Sequence, residues 1–394
     1  MTHDPIVIVS AKRTPIGAFQ GCFSATNAIH LSGTASIAAL SDAGLDGADI
    51  SEVVMGCVLP AGLGQAPARQ AALAAGLPEG KGATTINKVC GSGMKAVMMA
   101  HDLVAAGSAD IVLAGGMESM TNAPYLMPKA RAGYRMGHQQ ILDHMFYDGL
   151  QNPYDDNMMG VFAERTSAHY NFSREAQDAF AVASVTRAKK AIKDGAFANE
   201  LTAVTVKNRR AETIVDEDEE PSRANLEKIP TLRPAFAKDG TVTAASSSSI
   251  SDGAASLIVM RQSDATARGL SPIATIVGHS GFAHAPEWFT TAPVFAMKAL
   301  QEKLGWSVDD VDLYEINEAF ACVTMAAMQE LNIDHEKVNV NGGACALGHP
   351  IGASGARILV TLLHALKNRG LKRGVASLCI GGGEAVAIAV EAHA

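Results

Sequence analysis

Apolar residues run in short blocks near the start of the chain, beginning with Ile6-Val7-Ile8-Val9, and similar blocks recur at residues 52–58, 83–87 and 110–114. Their length and β-branched content predict strands. Between them, residues 31–43, 67–75 and 93–106 carry alanine and larger apolar residues at helical spacing. Strand and helix in alternation predict an α/β fold, a largely parallel sheet covered by helices. The clearest strand, Asp110-Ile111-Val112-Leu113-Ala114, reads as buried and as ended by a turn at Gly115-Gly116.

Between residues 118 and 245 the pattern changes. Five of the six tyrosines fall here (Tyr125, Tyr134, Tyr147, Tyr154, Tyr170), with the acidic run Asp216-Glu217-Asp218-Glu219-Glu220. Two helices are expected, at 156–169 and 174–194, in a loop-rich insertion that carries a binding surface. The acidic run reads as a solvated loop. After Ser251-Asp252-Gly253-Ala254-Ala255 the alternation resumes, with strands at 255–260, 273–279 and 313–316 and helices at 293–304 and 318–330. Aligning Ser92-Gly93 with Ser354-Gly355 brings two glycine-ended strands, 110–116 and 375–383, almost into register. This predicts an internal duplication whose helix N-termini meet around a pseudo-dyad.

Composition narrows the function. With 48% hydrophobic and 18% charged residues among 394, the chain can bury a large core. A net charge of −8 supplies no basic field, so nucleic acid is not an expected partner. The N-terminus reads as a first strand rather than a targeting segment, and the apolar runs are too short to span a bilayer, so a soluble cytoplasmic protein is expected. Six scattered cysteines (22, 57, 90, 322, 345, 379) form no C-x-x-C pair. Neither a zinc site nor a disulfide framework is expected, and no metal.

The candidate chemistry starts at Cys90, which the pattern places where a strand turns into an apolar helix. Unpaired N–H groups and the helix dipole there favour thiolate over thiol, which predicts a nucleophile near neutral pH. Alone, such a cysteine is more often a small core residue. If the halves pair, three more segments join it: Asn317-Glu318-Ala319-Phe320, Gly348-His349-Pro350, and Cys379-Ile380-Gly381-Gly382-Gly383. Each lies where a parallel sheet exposes its functional loops.

Together these segments closely resemble the thiolase family. The resemblance rests on Asn87-x-x-Cys90-x-Ser92-Gly93, Asn317-Glu318-Ala319-Phe320, the run Gly342 to Gly355 around His349, and Cys379-x-Gly381-Gly382-Gly383, with Arg13-Thr14-Pro15 and Gly115-Gly116-Met117-Glu118 in support. It covers nearly the whole chain. It implies a duplicated five-layered αβαβα fold: residues 1–118 with about 246–268 as the first half, 119–245 as an inserted loop domain that holds coenzyme A, and 269–394 as the second half. It also implies a homo-oligomer, dimer or tetramer. The expected activity is acetyl-CoA C-acetyl transfer, a reversible Claisen exchange between acetyl-CoA and short 3-ketoacyl-CoA, with coenzyme A esters as substrates and no prosthetic group. In it Cys90 would carry the acetyl group, His349 take its proton, Cys379 serve the α-carbon, Asn317 hold a water beside His349, and the N–H groups of Cys90 and Gly381 form an oxyanion hole. Ser248, Met159 and Phe236 match the family's pantetheine and acyl contacts, and Arg223 its arginine near the nucleotide.

Two departures bear on specificity. Met158-Met159-Gly160 and Phe289-Thr290-Thr291-Ala292-Pro293 differ from the bacterial biosynthetic pattern. Phe289 resembles the mitochondrial acetoacetyl-CoA thiolases, which implies tolerance of a 2-methyl branch, while Pro221 replaces their tyrosine and argues against potassium activation. The competing readings are a degradative thiolase of longer chains, a ketoacyl synthase, which Cys379 speaks against, and a non-catalytic acyl-CoA-binding subunit.

Overall fold

In the computed structural model, which describes residues 4–207 and 211–393, most strands form one sheet made of two similar leaves, and Tyr125–Leu126 with Leu142–Asp143 and Val204–Lys207 with Glu212–Val215 form two small separate sheets. The first leaf has the order Gly82–Ile86, Glu52–Gly56, Ile111–Ser119, Ser251–Arg261, Ile6–Arg13; the second, Leu313–Ile316, Arg373–Ile380, Glu384–Ala392, Ala274–Ala283. In each leaf the pairs at the outer edge are parallel and those toward the junction between the leaves are antiparallel. The second leaf's counterpart of Gly82–Ile86 shrinks to one parallel bridge, Tyr314 to Val338. Among the described residues the strands of the two leaves are joined where Val7 and Ile8 pair with Thr275 and Ala274.

Side-chain alternation along these strands explains why they read as continuous apolar runs. Ile6 and Ile8 face one core and Val7 and Val9 another, and Val112 and Ala114 are likewise separated from Ile111 and Leu113. Both faces are covered, so both parities must be apolar. Ala28–Ala43 and Pro67–Ala74 cover the outside of the first leaf, and Ala292–Leu304 and Ala321–Leu331 the outside of the second. Ser92–Ala106 and Ile351–Arg369 pack between the leaves, in a core drawn from both. The result is the five-layered α/β arrangement.

At the centre of the molecule the two middle helices touch at matching glycines. A Cβ on Gly93 would sit 2.7 Å from the Ala356 nitrogen, and one on Gly355 2.4 Å from the Met94 nitrogen. The alignment of Ser92-Gly93 with Ser354-Gly355 is thus a contact in space as well as an echo in sequence.

Several expectations are corrected. Ile111–Ser119 does not stop at Gly115-Gly116 but runs through them. These glycines admit neighbouring backbone, since a Cβ would lie 2.0 Å from the Ala255 oxygen or 2.1 Å from the Gly352 oxygen. The helix expected at 318–330 begins only at Ala321, because Ser247 pairs with Phe320 and the Ser248 amide donates to the Ala319 oxygen, which holds that segment extended. Only the start of the acidic run is solvated: Asp216 and Glu217 are exposed, whereas Asp218 is buried and takes two bonds from Arg13, and Glu219 accepts the Ala18 and Cys22 amides. The inserted segment, including helices Met159–His169 and Arg174–Lys193, occupies the connection that in the second leaf is the short Gly381-Gly382-Gly383 turn. Among the described residues no helix is long and apolar enough to cross a membrane.

Candidate active site

Cys90 follows Gly82–Ile86 in a loop held by its own backbone. The Val89 amide donates to Asn87 Oδ1 (2.9 Å), Ser92 Oγ donates to the Val89 oxygen (2.7 Å), and the Lys88 amide donates to Ser92 Oγ (2.8 Å). Val89 is held at φ 45°, a region that a β-branched residue enters only at a cost. The helix Ser92–Ala106 begins two residues after Cys90.

The N–H groups of Gly381 and of Cys90 itself act on the Cys90 sulfur and favour the thiolate. Burial outweighs them, with a small addition from the Glu118 charge, and the thiol is pushed up to about 11. The expectation of a resting thiolate is therefore wrong. Desolvation disfavours the charged form more strongly than two amides stabilise it, and Cys90 needs a base.

His349 lines the same cleft, and burial and the nearby Arg357 charge push its pKa down to about 3, so the ring is neutral. Ser354 has one hydroxyl proton and donates it to the Pro350 oxygen (2.9 Å), so at 2.5 Å it accepts from His349 Nδ1. This assigns the ring proton to Nδ1 and leaves Nε2 unprotonated, an acceptor. Asn317 Nδ2 lies 3.5 Å from Nε2, and the buried Asn317 Oδ1 has no partner among the described residues.

Cys90, His349, Gly381, Ser248, Met159, Phe236 and Phe289 all line one apolar cleft of about 850 Å³ measured out to its open mouth. Phe289 packs edge-on against Phe162, and Phe236 against Phe320. Ser248 Oγ donates to the Ala319 oxygen (3.0 Å). Cys379 is fully buried in an adjoining cluster with Phe162, Phe289 and Phe320, close enough to Cys90 for the two sulfurs to interact. Burial holds its thiol well above the ordinary range.

Arg223 is not brought into the cleft. It ends the short helix Glu219–Arg223, is half-exposed, and pairs with Glu219 at 3.1 Å. Residues not singled out in the sequence also line the cleft, among them Met120, Phe146, Leu150 and Ile351. Phe146 sits in an irregular helical turn of the insertion that no periodicity reveals. Ser354, five residues after His349, orients the ring and was legible only as part of a motif. His101, Asp102 and His279 also meet, but as hydrogen bonds of 3.0 and 2.9 Å to one Asp102 oxygen that already satisfy them.

The family models for the thiolase N-terminal and C-terminal domains match residues 6–263 and 270–392. An acetyl-CoA acetyltransferase of Thiocystis violacea is 49% identical over 390 residues, 98% of this chain and 99% of that protein. The crystal structure of the Bacillus anthracis acetyl-CoA acetyltransferase superposes with a TM-score of 0.97 at 41% identity, covering 99% of each chain. The Acat5 thiolase from Ascaris suum, solved in complex with coenzyme A, superposes at 0.94 with 42% identity, covering 99% of this chain and 100% of that one. With a cleft that joins Cys90 to a neutral His349 and family models that match both halves, the chain belongs to the thiolase family.

Proposed function

We propose that the protein is an acetyl-CoA C-acetyltransferase that works through an acetyl group on Cys90. The observation that carries this reading is the neutral His349 with Nε2 unprotonated, lining the same cleft as a Cys90 thiol whose sulfur faces two backbone N–H groups.

In the thiolysis direction both cysteines start as thiols. His349 Nε2 takes the Cys90 proton, and the sulfur attacks the 3-keto carbon of acetoacetyl-CoA. The oxyanion that forms is met by the N–H groups of Cys90 and Gly381. Its collapse breaks the C2–C3 bond, leaving acetyl-Cys90 and the enolate of acetyl-CoA, whose oxygen is met by His349 and by a water held on Asn317. Cys379 gives its proton to the enolate carbon, and acetyl-CoA departs. Coenzyme A then enters, returns a proton to Cys379, and attacks acetyl-Cys90; the Cys90 thiolate leaves and recovers its proton from His349. Condensation of two acetyl-CoA is the same path reversed. Every proton and the acyl group pass among these side chains and coenzyme A, so the steps call on no prosthetic group or metal.

Ser248, Met159 and Phe236 receive the pantetheine arm, and the exposed Arg223 meets only the nucleotide end. The aromatic wall around Phe289 suits short 3-ketoacyl chains, 2-methyl-branched ones included. Six free cysteines suit a reducing cytoplasm. The half-exposed edge strand Gly82–Ile86 supports a homo-oligomer.

The test is intact-protein mass spectrometry after brief mixing with acetyl-CoA, with thiolysis of acetoacetyl-CoA, its 2-methyl homologue and longer esters followed in parallel. Wild type gains one acetyl group; Cys90→Ser gains none and loses at least roughly a thousandfold in thiolysis. An adduct that survives in Cys90→Ser would refute Cys90 as the carrier. Activity that rises with chain length would replace the short-chain reading with a degradative one.

A further inference from the structure

We propose that Glu118 is a positioning residue that sets the spacing between the Cys90 loop and the His349 loop by gripping backbone from both halves of the molecule with one carboxylate. The inference rests on acyl transfer at Cys90 with His349 as its base.

Glu118 is buried near the end of strand Ile111–Ser119. Its Oε2 accepts the amides of Val58 (3.0 Å) and Gly352 (2.9 Å), and its Oε1 the amide of Leu59 (3.1 Å) with Cys57 Sγ at 3.7 Å. Four donors converge on one group, which is the bonding pattern of a carboxylate. Gly352 is at the start of helix Ile351–Arg369, where an amide has no partner within the helix and an anion is favoured.

From each end of this grip a short relay reaches the chemistry. On one side the Val58 oxygen accepts Asn87 Nδ2 (3.4 Å), and Asn87 Oδ1 accepts the Val89 amide (2.9 Å), one residue before the nucleophile. On the other, the turn that holds Gly352 also carries the Pro350 oxygen, which accepts the Ser354 amide and hydroxyl (2.9 Å each), and Ser354 in turn fixes the His349 ring. Glu118 is not among the residues that line the cleft, and its hydrogen bonds go to Cys57, Val58, Leu59 and Gly352; it fixes the loops that carry the reacting side chains. A buried carboxylate is costly where an apolar residue would pack. A group that ties two backbone segments to its own strand in one rigid seat for a proton transfer has a reason to be there, because a displacement of about 1 Å between nucleophile and base can cost on the order of a hundredfold in rate.

The experiment compares wild type, Glu118→Gln, Asn87→Ala and the double variant as full-length chains. For each, iodoacetamide-titratable Cys90, kcat and KM for acetoacetyl-CoA thiolysis, and the rate of acetyl-Cys90 formation from acetyl-CoA are measured. Glutamine keeps the shape but turns an NH2 group toward backbone N–H. The expected result for Glu118→Gln is full titration of Cys90, KM within about twofold, and kcat and acylation rate down by about 10- to 100-fold. Asn87→Ala should show a smaller fall of the same kind, and the double variant should be little worse than Glu118→Gln, since the links lie in series. An unchanged kcat per titratable Cys90 in Glu118→Gln, with only a lower Tm, would overturn the inference. Should Glu118→Gln fail to fold, Asn87→Ala decides it, and an unchanged kcat there overturns it equally. A wild type that takes up no acetyl group would refute acyl transfer at Cys90 itself, and this inference with it.

Discussion

At Cys90 two backbone amides pull the thiol toward ionisation while burial pushes it the other way, and the magnitudes decide that burial wins. The residue was legible in the sequence as the cysteine before Gly-Ser-Gly at a helix start. Its protonation state was not, because a helix-end argument contains no desolvation. A consequence can be measured. In His349→Ala, only the small thiolate fraction reacts with iodoacetamide, and with a pKa near 11 that fraction grows about tenfold per pH unit between pH 7 and 9. A flatter dependence in wild type would show that the neutral His349 ring assists removal of the Cys90 proton. A plateau below pH 8 in the variant would mean that Cys90 rests as thiolate after all.

Elements meet in this protein through glycine, and local sequence does not say which use a glycine serves. Gly115-Gly116 reads as a turn by composition, yet both lie mid-strand where backbone from Ala255 and Gly352 comes close. Turn and close approach leave the same mark along the chain. The crossing of the two central helices supplies a test. Gly355→Ala puts a methyl 2.4 Å from the Met94 nitrogen and 2.8 Å from its Cβ, so the helices that present Cys90 and His349 must separate. The expected cost is about 1–3 kcal/mol in urea unfolding, with a marked loss of kcat. Gly370→Ala, at φ 63° beyond the other end of the same helix with open space around it, should cost about 1–2 kcal/mol and leave kcat unchanged. Equal losses of activity in both would contradict an active site seated on that crossing.

Across the whole molecule the inserted segment is tied to the first leaf by charge. Arg13 is fully buried and donates to Glu200 (2.6 Å) and through two nitrogens to Asp218 (2.8 and 2.9 Å), both residues of the insertion. Arg13→Ala would leave two buried carboxylates without their cation, at an expected cost of about 3–5 kcal/mol. Unfolding in guanidinium checks this, and a change below about 1 kcal/mol would mean that water already screens the cluster. From the chain alone, Asp218 looked like one more charge in a solvated run, because only folding brings residues so far apart in sequence as Arg13 and Asp218 together. The sequence by itself determined the α/β alternation and the duplication, and singled out Cys90, His349 and Cys379 through the resemblance of their motifs to a family, since periodicity and motif spacing are local properties of the chain. Tertiary structure alone decided that the two cysteines rest as thiols, that His349 is neutral with its proton on Nδ1, that Arg223 stays outside the cleft, and that Glu118 joins the two loops. Each of these depends on burial or on partners distant along the chain, and no local pattern records them.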